Sequence, residues 1–319
     1  MKKLLLGAVI SAFAIGLLAY KIDLSEFEKI RERVNYVYLF PFIAGGILGL
    51  ILFAIRWYIF LEKKISFKHA LASVVLGGGA NMVLPARGGD ILRIYYSKTE
   101  SNIQYPTLLS KIFIEKVVDF ITVILIGLVS FFLLGMNNIE SSSFAIFTFS
   151  GFLIFGIVIG LFLLRYQNDF VIRILIIPFR IIHKELLFNT KLKEHIVELG
   201  EFLTVRTFLR PSIITLVMWS CAYSLAYIGI TGLLGIQIAY VEILFIMFCG
   251  AMGVAVPSAP SGIGVFHASI ISGFVLLGKP SGVGLVYATT IHIAQFILYG
   301  ALSLVVYLYW TWRRRHPKS

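Results

Sequence analysis

The chain has 319 residues, 59% of them hydrophobic and 14% charged, and its mean hydropathy is +0.91. Globular domains carry about a quarter of their residues as charges, so this composition excludes a soluble protein and indicates a polytopic membrane protein. The net charge of +12 follows the flanks of apolar runs, which excludes a nucleic-acid partner and fits the excess of Lys and Arg in cytoplasmic loops.

Lys2 and Lys3 precede the first apolar run, 4–20. The small residues Ala12 and Ala14 fall in mid-run, where a signal-peptide cleavage site does not belong, so a retained span is expected. Further runs of spanning length cover 36–61, 108–134, 144–164, 213–234 and 283–310, and shorter ones cover 240–256 and 263–277. The reading is a single all-α integral-membrane domain over 1–319, with six to eight transmembrane helices. Residues of about 168–207 are expected as amphipathic helices at the cytoplasmic interface, from Leu192, Ile196, Leu199 and Leu203 at helical spacing and from the basic Arg173, Arg180 and Lys184. Cys221 and Cys249 lie in apolar runs, so neither a disulfide framework nor a metal cluster is expected.

Segment 165–210 carries eight Lys or Arg, whereas the links 135–143 and 235–239 carry none. Both termini are therefore expected in the cytoplasm, in a cell inner membrane. Cysteines introduced at Ser142 and Gly235 should react with impermeant reagents from outside, and one at Lys193 only from inside. Outside labelling at Lys193 would overturn this topology.

With that parity, 66 and 105 lie on the same side, so the segment between them must enter and leave by one face. It contains Gly77, Gly78, Gly79, Asn81, Pro85, Arg87, Gly88, Gly89, Asp90 and Arg93. Broken backbone and charge survive at membrane depth only where protein or a water-filled cavity receives them. A re-entrant hairpin is expected, descending over 69–83, turning over 84–89 and returning over 90–96.

A second broken element holds Gly250, Pro257, Pro260, Ser261, Gly262 and Gly264. Gly78 and Pro85 have six residues between them, as do Gly250 and Pro257. Paired Gly/Pro breaks in two halves point to a transporter's midplane site and to a candidate inverted repeat. Whether the second element re-enters or spans stays open at this stage.

Arg87, Asp90 and Arg93, three apart, would form one polar ridge on a helical return arm. Two guanidiniums suit a phosphate, that of an anionic phospholipid or a polyprenyl-phosphate lipid, with Asn81 beside them and backbone N–H groups adding to the site. The alternative is an internal pair that neutralises itself. Lys111, Glu115 and Asp119 recur at four-residue spacing, with Lys116 adjacent. Lys111 and Glu115 could pair; Asp119 is expected either to pair with Arg87 or Arg93 or to titrate. Asp90, Glu115, Lys116 and Asp119 are thus read as charge-balancing support. His267 and His292 are either hydrogen-bonded core histidines or titrating groups, because imidazole changes charge near neutral pH. No nucleophile elbow, zinc-protease or Walker motif occurs, and no cofactor is implied.

Asn81-x3-Pro85-x-Arg87-x2-Asp90-x2-Arg93, then Glu115-Lys116-x2-Asp119, then Pro257-x2-Pro260-Ser261-Gly262-Ile263-Gly264-Val265-Phe266-His267, resembles the transmembrane region of lysylphosphatidylglycerol synthases. That region also occurs as stand-alone, flippase-like proteins, and the resemblance covers nearly the whole chain. It implies a membrane protein that handles lipids. This chain has Asp90 where the family usually has Glu, Lys116 for Arg, Ser261 for Gly, and His267 where Glu is frequent. The aminoacyl-transferring domain is not in the sequence, so lysylation by this chain is not expected. The expected function is movement of a phospholipid or a lipid-linked anionic headgroup between leaflets. The alternatives are an integral-membrane lipid-modifying enzyme and a scaffold subunit with a separate lipid synthase as partner.

Overall fold

The structure, a computed structural model, describes residues 28, 30–84, 87–135, 152, 155–181, 193–255 and 260–316. The expected first span, Pro85 and Pro257 lie outside these. All regular elements among the described residues are helical. They are α1 (Leu39–Phe60), α2 (Phe67–Val83), α3 (Gly88–Thr99), α4 (Tyr105–Leu133), α5 (Phe155–Tyr166), α6 (Asn168–Ile181) and α7 (Lys193–Phe202). There follow α8 (Val205–Val217), a π-helical turn (Met218–Tyr223), α9 (Ser224–Leu233), α10 (Tyr240–Ala255), α11 (Val265–Leu276) and α12 (Ser281–Arg315).

Four helical stretches among the described residues are long and apolar enough to cross a membrane: Tyr36–Phe60, Tyr105–Leu133, Phe208–Leu233 and Ser281–Arg315. The chain is a multi-pass membrane protein. Helix α5 meets α6 at a bend of 110°. Along α6 the side chains of Phe170, Ile174, Leu175 and Ile177 are exposed, an apolar surface that suits the membrane interface.

Both broken segments fold as antiparallel hairpins. In the first, α2 and α3 approach so closely that a Cβ on Gly89 would lie 2.0 Å from the Gly77 carbonyl oxygen. The Gly89 N–H donates to Asn81 Oδ1 at 2.9 Å, which closes the arms beside the turn. In the second, Gly253 of α10 faces the Val265 carbonyl and Ser269 of α11. Its turn uses left-handed backbone at Ser261 (φ 60°), Gly262 (φ 72°) and Gly264 (φ 91°), a region where glycine is at ease and serine is not.

The long helix α12 measures how the hairpins enter. Near its start, Gly284 packs on Ile271 and Phe274 of the second hairpin, and His292 Nε2 lies 2.9 Å from Ser261 Oγ at that hairpin's tip. Further along, Ser303 packs against Gly79 in α2. Near the end, the Trp310 ring lies 5.0 Å from that of Tyr96, and its Nε1–H donates to Glu100 at the base of the first hairpin. Base, tip, tip and base follow in order, so the hairpins enter from opposite ends of α12 and their tips meet between them. Ser261 Oγ reaches Met82 Sδ at 3.4 Å across that junction. The second element is therefore re-entrant in the same sense as the first.

Each half now reads as span, broken hairpin, span. The two opening spans run antiparallel: Gly45 of α1 meets Ala226, Gly49 meets Tyr223, and Phe42 meets Gly229. A Cβ on Gly45 would lie 2.5 Å from the Ala226 backbone nitrogen, so glycine sets this contact, as small residues do between helices in lipid. Each closing span packs on the opening arm of the other half's hairpin, α12 on α2 and α4 on α10. These relations are those of an inverted repeat.

Candidate functional site

Next to the first hairpin, helices α1, α3, α4 and α8 bring buried charges together. Arg56, Arg93 and Glu115 are 0%, 1% and 0% exposed. Arg93 holds Glu115 through two hydrogen bonds, 3.1 and 2.7 Å. Arg56 holds Asp119 in the same forked way, at 2.5 and 3.1 Å, donates to Thr215 Oγ1 at 2.7 Å, and lies 3.6 Å from Glu115. Lys116 joins Asp90 at 3.2 Å and Glu115 at 3.5 Å. The Arg93 guanidinium also sits 4.4 Å above the Trp57 ring and 4.9 Å from Phe53. Desolvating such ions costs several kcal/mol each in effect, and only forked, well-satisfied pairing offsets that. Three cations, Arg56, Arg93 and Lys116, thus face three carboxylates, Asp90, Glu115 and Asp119.

Several pairings differ from those expected. Asp119 pairs with Arg56, not with Arg87 or Arg93. Lys111 pairs with Glu62 at 3.0 Å, and Glu115 is held by two arginines. The polar ridge divides: helix α3 begins only at Gly88, Arg87 caps it in a left-handed conformation (φ 56°, ψ 40°), Asp90 turns to Lys116 and Arg93 turns into the core. Arg56 was missed by the sequence reading, although a lone arginine inside the apolar run 36–61 is itself a signal.

At the hairpin tips lies a cavity of about 920 Å³, lined by both tips, α4, α12 and the π-turn. Its size falls within the usual range for small-molecule sites, about 300–1,000 Å³. The wall is largely apolar and aromatic, including Phe113, Phe120, Trp219 and Phe266, and its polar groups include Asn81, Arg87, Lys116 and Asp119. Arg87 is exposed and has no ion-pair partner among the described residues. A non-glycine residue with positive φ costs roughly 1–3 kcal/mol, and such strain clusters at functional sites. The π-turn turns Trp219 toward Asp119, its Nε1–H 3.5 Å from Oδ1, and π-bulges recur at such places. Tyr240 donates its hydroxyl to the Ser220 carbonyl of that turn.

Of the expected backbone breaks, Gly262 lines the cavity, whereas Gly79 faces α12 and Gly88 and Gly89 face their own hairpin. Pro260 opens the short 3-10 turn Pro260–Gly262. His267 and His292 stack, with ring centroids 5.2 Å apart and planes 20° apart. His292 lines the cavity. Trp219, Tyr223 and Gln295 also line it and were not singled out in the sequence; nothing in their spacing marks them.

A membrane protein of paired broken hairpins around a cationic cavity is the class that fold and site define. Over residues 4–303 the chain matches the family described as the lysylphosphatidylglycerol synthase TM region, and it belongs to that family. This places it among membrane proteins of phospholipid metabolism or transport. No curated protein and no solved structure matches the chain.

Proposed function

We propose that the protein moves an anionic lipid, a phospholipid or a lipid-linked headgroup, between leaflets, with the lipid phosphate held in the cavity at the hairpin tips. One observation carries this reading. The buried network is balanced within itself, three charges against three, and Arg87 stands outside it with no partner among the described residues. A largely apolar cavity with one surplus guanidinium suits an amphiphile with one phosphate. Arg87 binds the phosphate, Lys116 and the Asn81 amide border it, and Arg93 acts from behind by fixing Glu115. Hairpins entering from opposite ends give the lipid a junction accessible in turn from either side. Inner-membrane placement with both termini cytoplasmic belongs to the same proposal and rests on the distribution of Lys and Arg.

The test is lipid movement in proteoliposomes of the purified full chain, with acyl-labelled phosphatidylglycerol and a labelled polyprenyl phosphate as reporters. Label crossing faster than in protein-free vesicles, with no new lipid product, is the expected result. Product without movement supports a lipid-modifying enzyme instead. Neither movement nor product, with a synthase that co-purifies, supports a scaffold.

A further inference from the structure

A second, smaller cavity of about 250 Å³ adjoins the first and shares Asn81, Met82, Trp219, Tyr223, Tyr227 and Gln295 with it. Its chemistry is different. No charged side chain lines it, whereas five aromatic rings do: Phe53, Trp219, Tyr223, Tyr227 and Tyr299. The two amides on its wall come from opposite halves of the molecule, Asn81 from α2 and Gln295 from α12.

The polar groups here have hydrogen-bonding capacity to spare. Asn81 spends its carbonyl on the Gly89 N–H and keeps its NH₂. The hydroxyls of Tyr223, Tyr227 and Tyr299 and the Gln295 amide make no hydrogen bond among the described residues. These groups open onto the cavity, with Asn81, Tyr223, Gln295 and Tyr299 only partly buried, so a ligand that fills it can meet them with matching donors and acceptors.

An acyl chain would strand those groups. An ammonium or carboxylate headgroup would enter without a counter-ion and lose its hydration. A hydroxylated ring meets both features, its C–H faces lying on the aromatic rings and its hydroxyls reaching the phenols and amides. The volume lies below the usual range for drug-sized ligands, about 300–1,000 Å³, which suits a single ring.

We propose that this compartment holds an uncharged, hydroxyl-bearing ring attached to the lipid phosphate. The inference rests on the phosphate reading of the larger cavity and adds the group that the phosphate carries. Tyr299, which lines this compartment and not the larger one, and Gln295, on the wall the two share, act as specificity residues for the ring.

Two lipid pairs test it, with the full-length protein in phosphatidylcholine nanodiscs and binding read by competition. One pair is phosphatidylinositol against phosphatidic acid with the same acyl chains; the other is a glucosyl-phosphate polyprenol against the bare polyprenyl phosphate. In at least one pair the ring-bearing member should bind about tenfold or more tightly, the effect of one or two net hydrogen bonds. The pair that shows the gain identifies the lipid backbone. Tyr299→Phe and Gln295→Met should each shrink that discrimination. Equal binding within both pairs, or phosphatidylserine matching phosphatidylinositol, overturns the ring compartment; the phosphate site survives if anionic lipids still outcompete phosphatidylcholine. If no anionic lipid outcompetes phosphatidylcholine, both readings fall.

Discussion

Arg87→Gln is expected to insert, purify and melt as the parent does, and to lose about 10- to 100-fold in lipid movement. The magnitude follows from deleting hydrogen bonds to a charged group, about 1.5–3 kcal/mol, at tenfold per 1.4 kcal/mol. The fold should tolerate the change because Arg87 is exposed, lies outside the paired network and caps α3 without a side-chain hydrogen bond. Arg87→Lys separates two meanings of the charge. Lysine keeps the positive charge but not the forked geometry, so a forked contact predicts that most of the loss remains. Reporter movement in proteoliposomes, normalised to reconstituted protein, is the measurement. Parental activity in a well-folded Arg87→Gln variant would remove the phosphate assignment.

Arg56→Met should behave in the opposite way and fail first as a structure. It strips Asp119 of a forked partner and leaves Glu115 to Arg93 and Lys116 alone. Removing one partner of a buried ion pair costs about 3–5 kcal/mol, which should be visible as a fall in melting temperature in detergent. Asp119→Asn should also destabilise, since it replaces a forked carboxylate with a single neutral acceptor and leaves Glu115, at 3.6 Å, as the charge partner of Arg56. Replacing both partners, Arg56→Met with Asp119→Leu, should recover much of the loss, because apolar pairs of similar volume commonly substitute for buried ions. A stable Asp119→Asn protein that has lost gradient-driven transport while retaining exchange would contradict this structural role and make Asp119 a proton-coupling group.

The contrast between these two arginines marks what sequence reasoning could reach. The two breaks were legible because glycine and proline interrupt apolar runs, and parity along the chain required the first to turn back but left open whether the second re-enters or spans. α2 closes at Val83 and α3 opens at Gly88, within a few residues of the expected turn. Pairing was less legible, because it depends on helix rotation and on which spans adjoin. Glu115 and Asp119, one turn apart on α4, both face Arg56 on α1, and the chain separates Arg56 from Asp119 by 63 residues. The three-residue spacing of Arg87, Asp90 and Arg93 suggested a common face, but Arg87 precedes the helix that would have created it. The aromatic and amide lining of the smaller cavity carries no sequence mark, since tyrosine, tryptophan and glutamine in apolar runs serve equally as packing.

The most direct test is a high-resolution map of the purified protein with its native lipid bound. The phosphate should lie within hydrogen-bonding distance of the Arg87 guanidinium, with Lys116 and Asn81 beside it and the acyl chains against Phe113 and Phe120. Arg93 should remain on Glu115 rather than on the lipid. Lipid density only on the outer surface, with Arg87 turned to a protein carboxylate and the cavity holding water alone, would contradict the account.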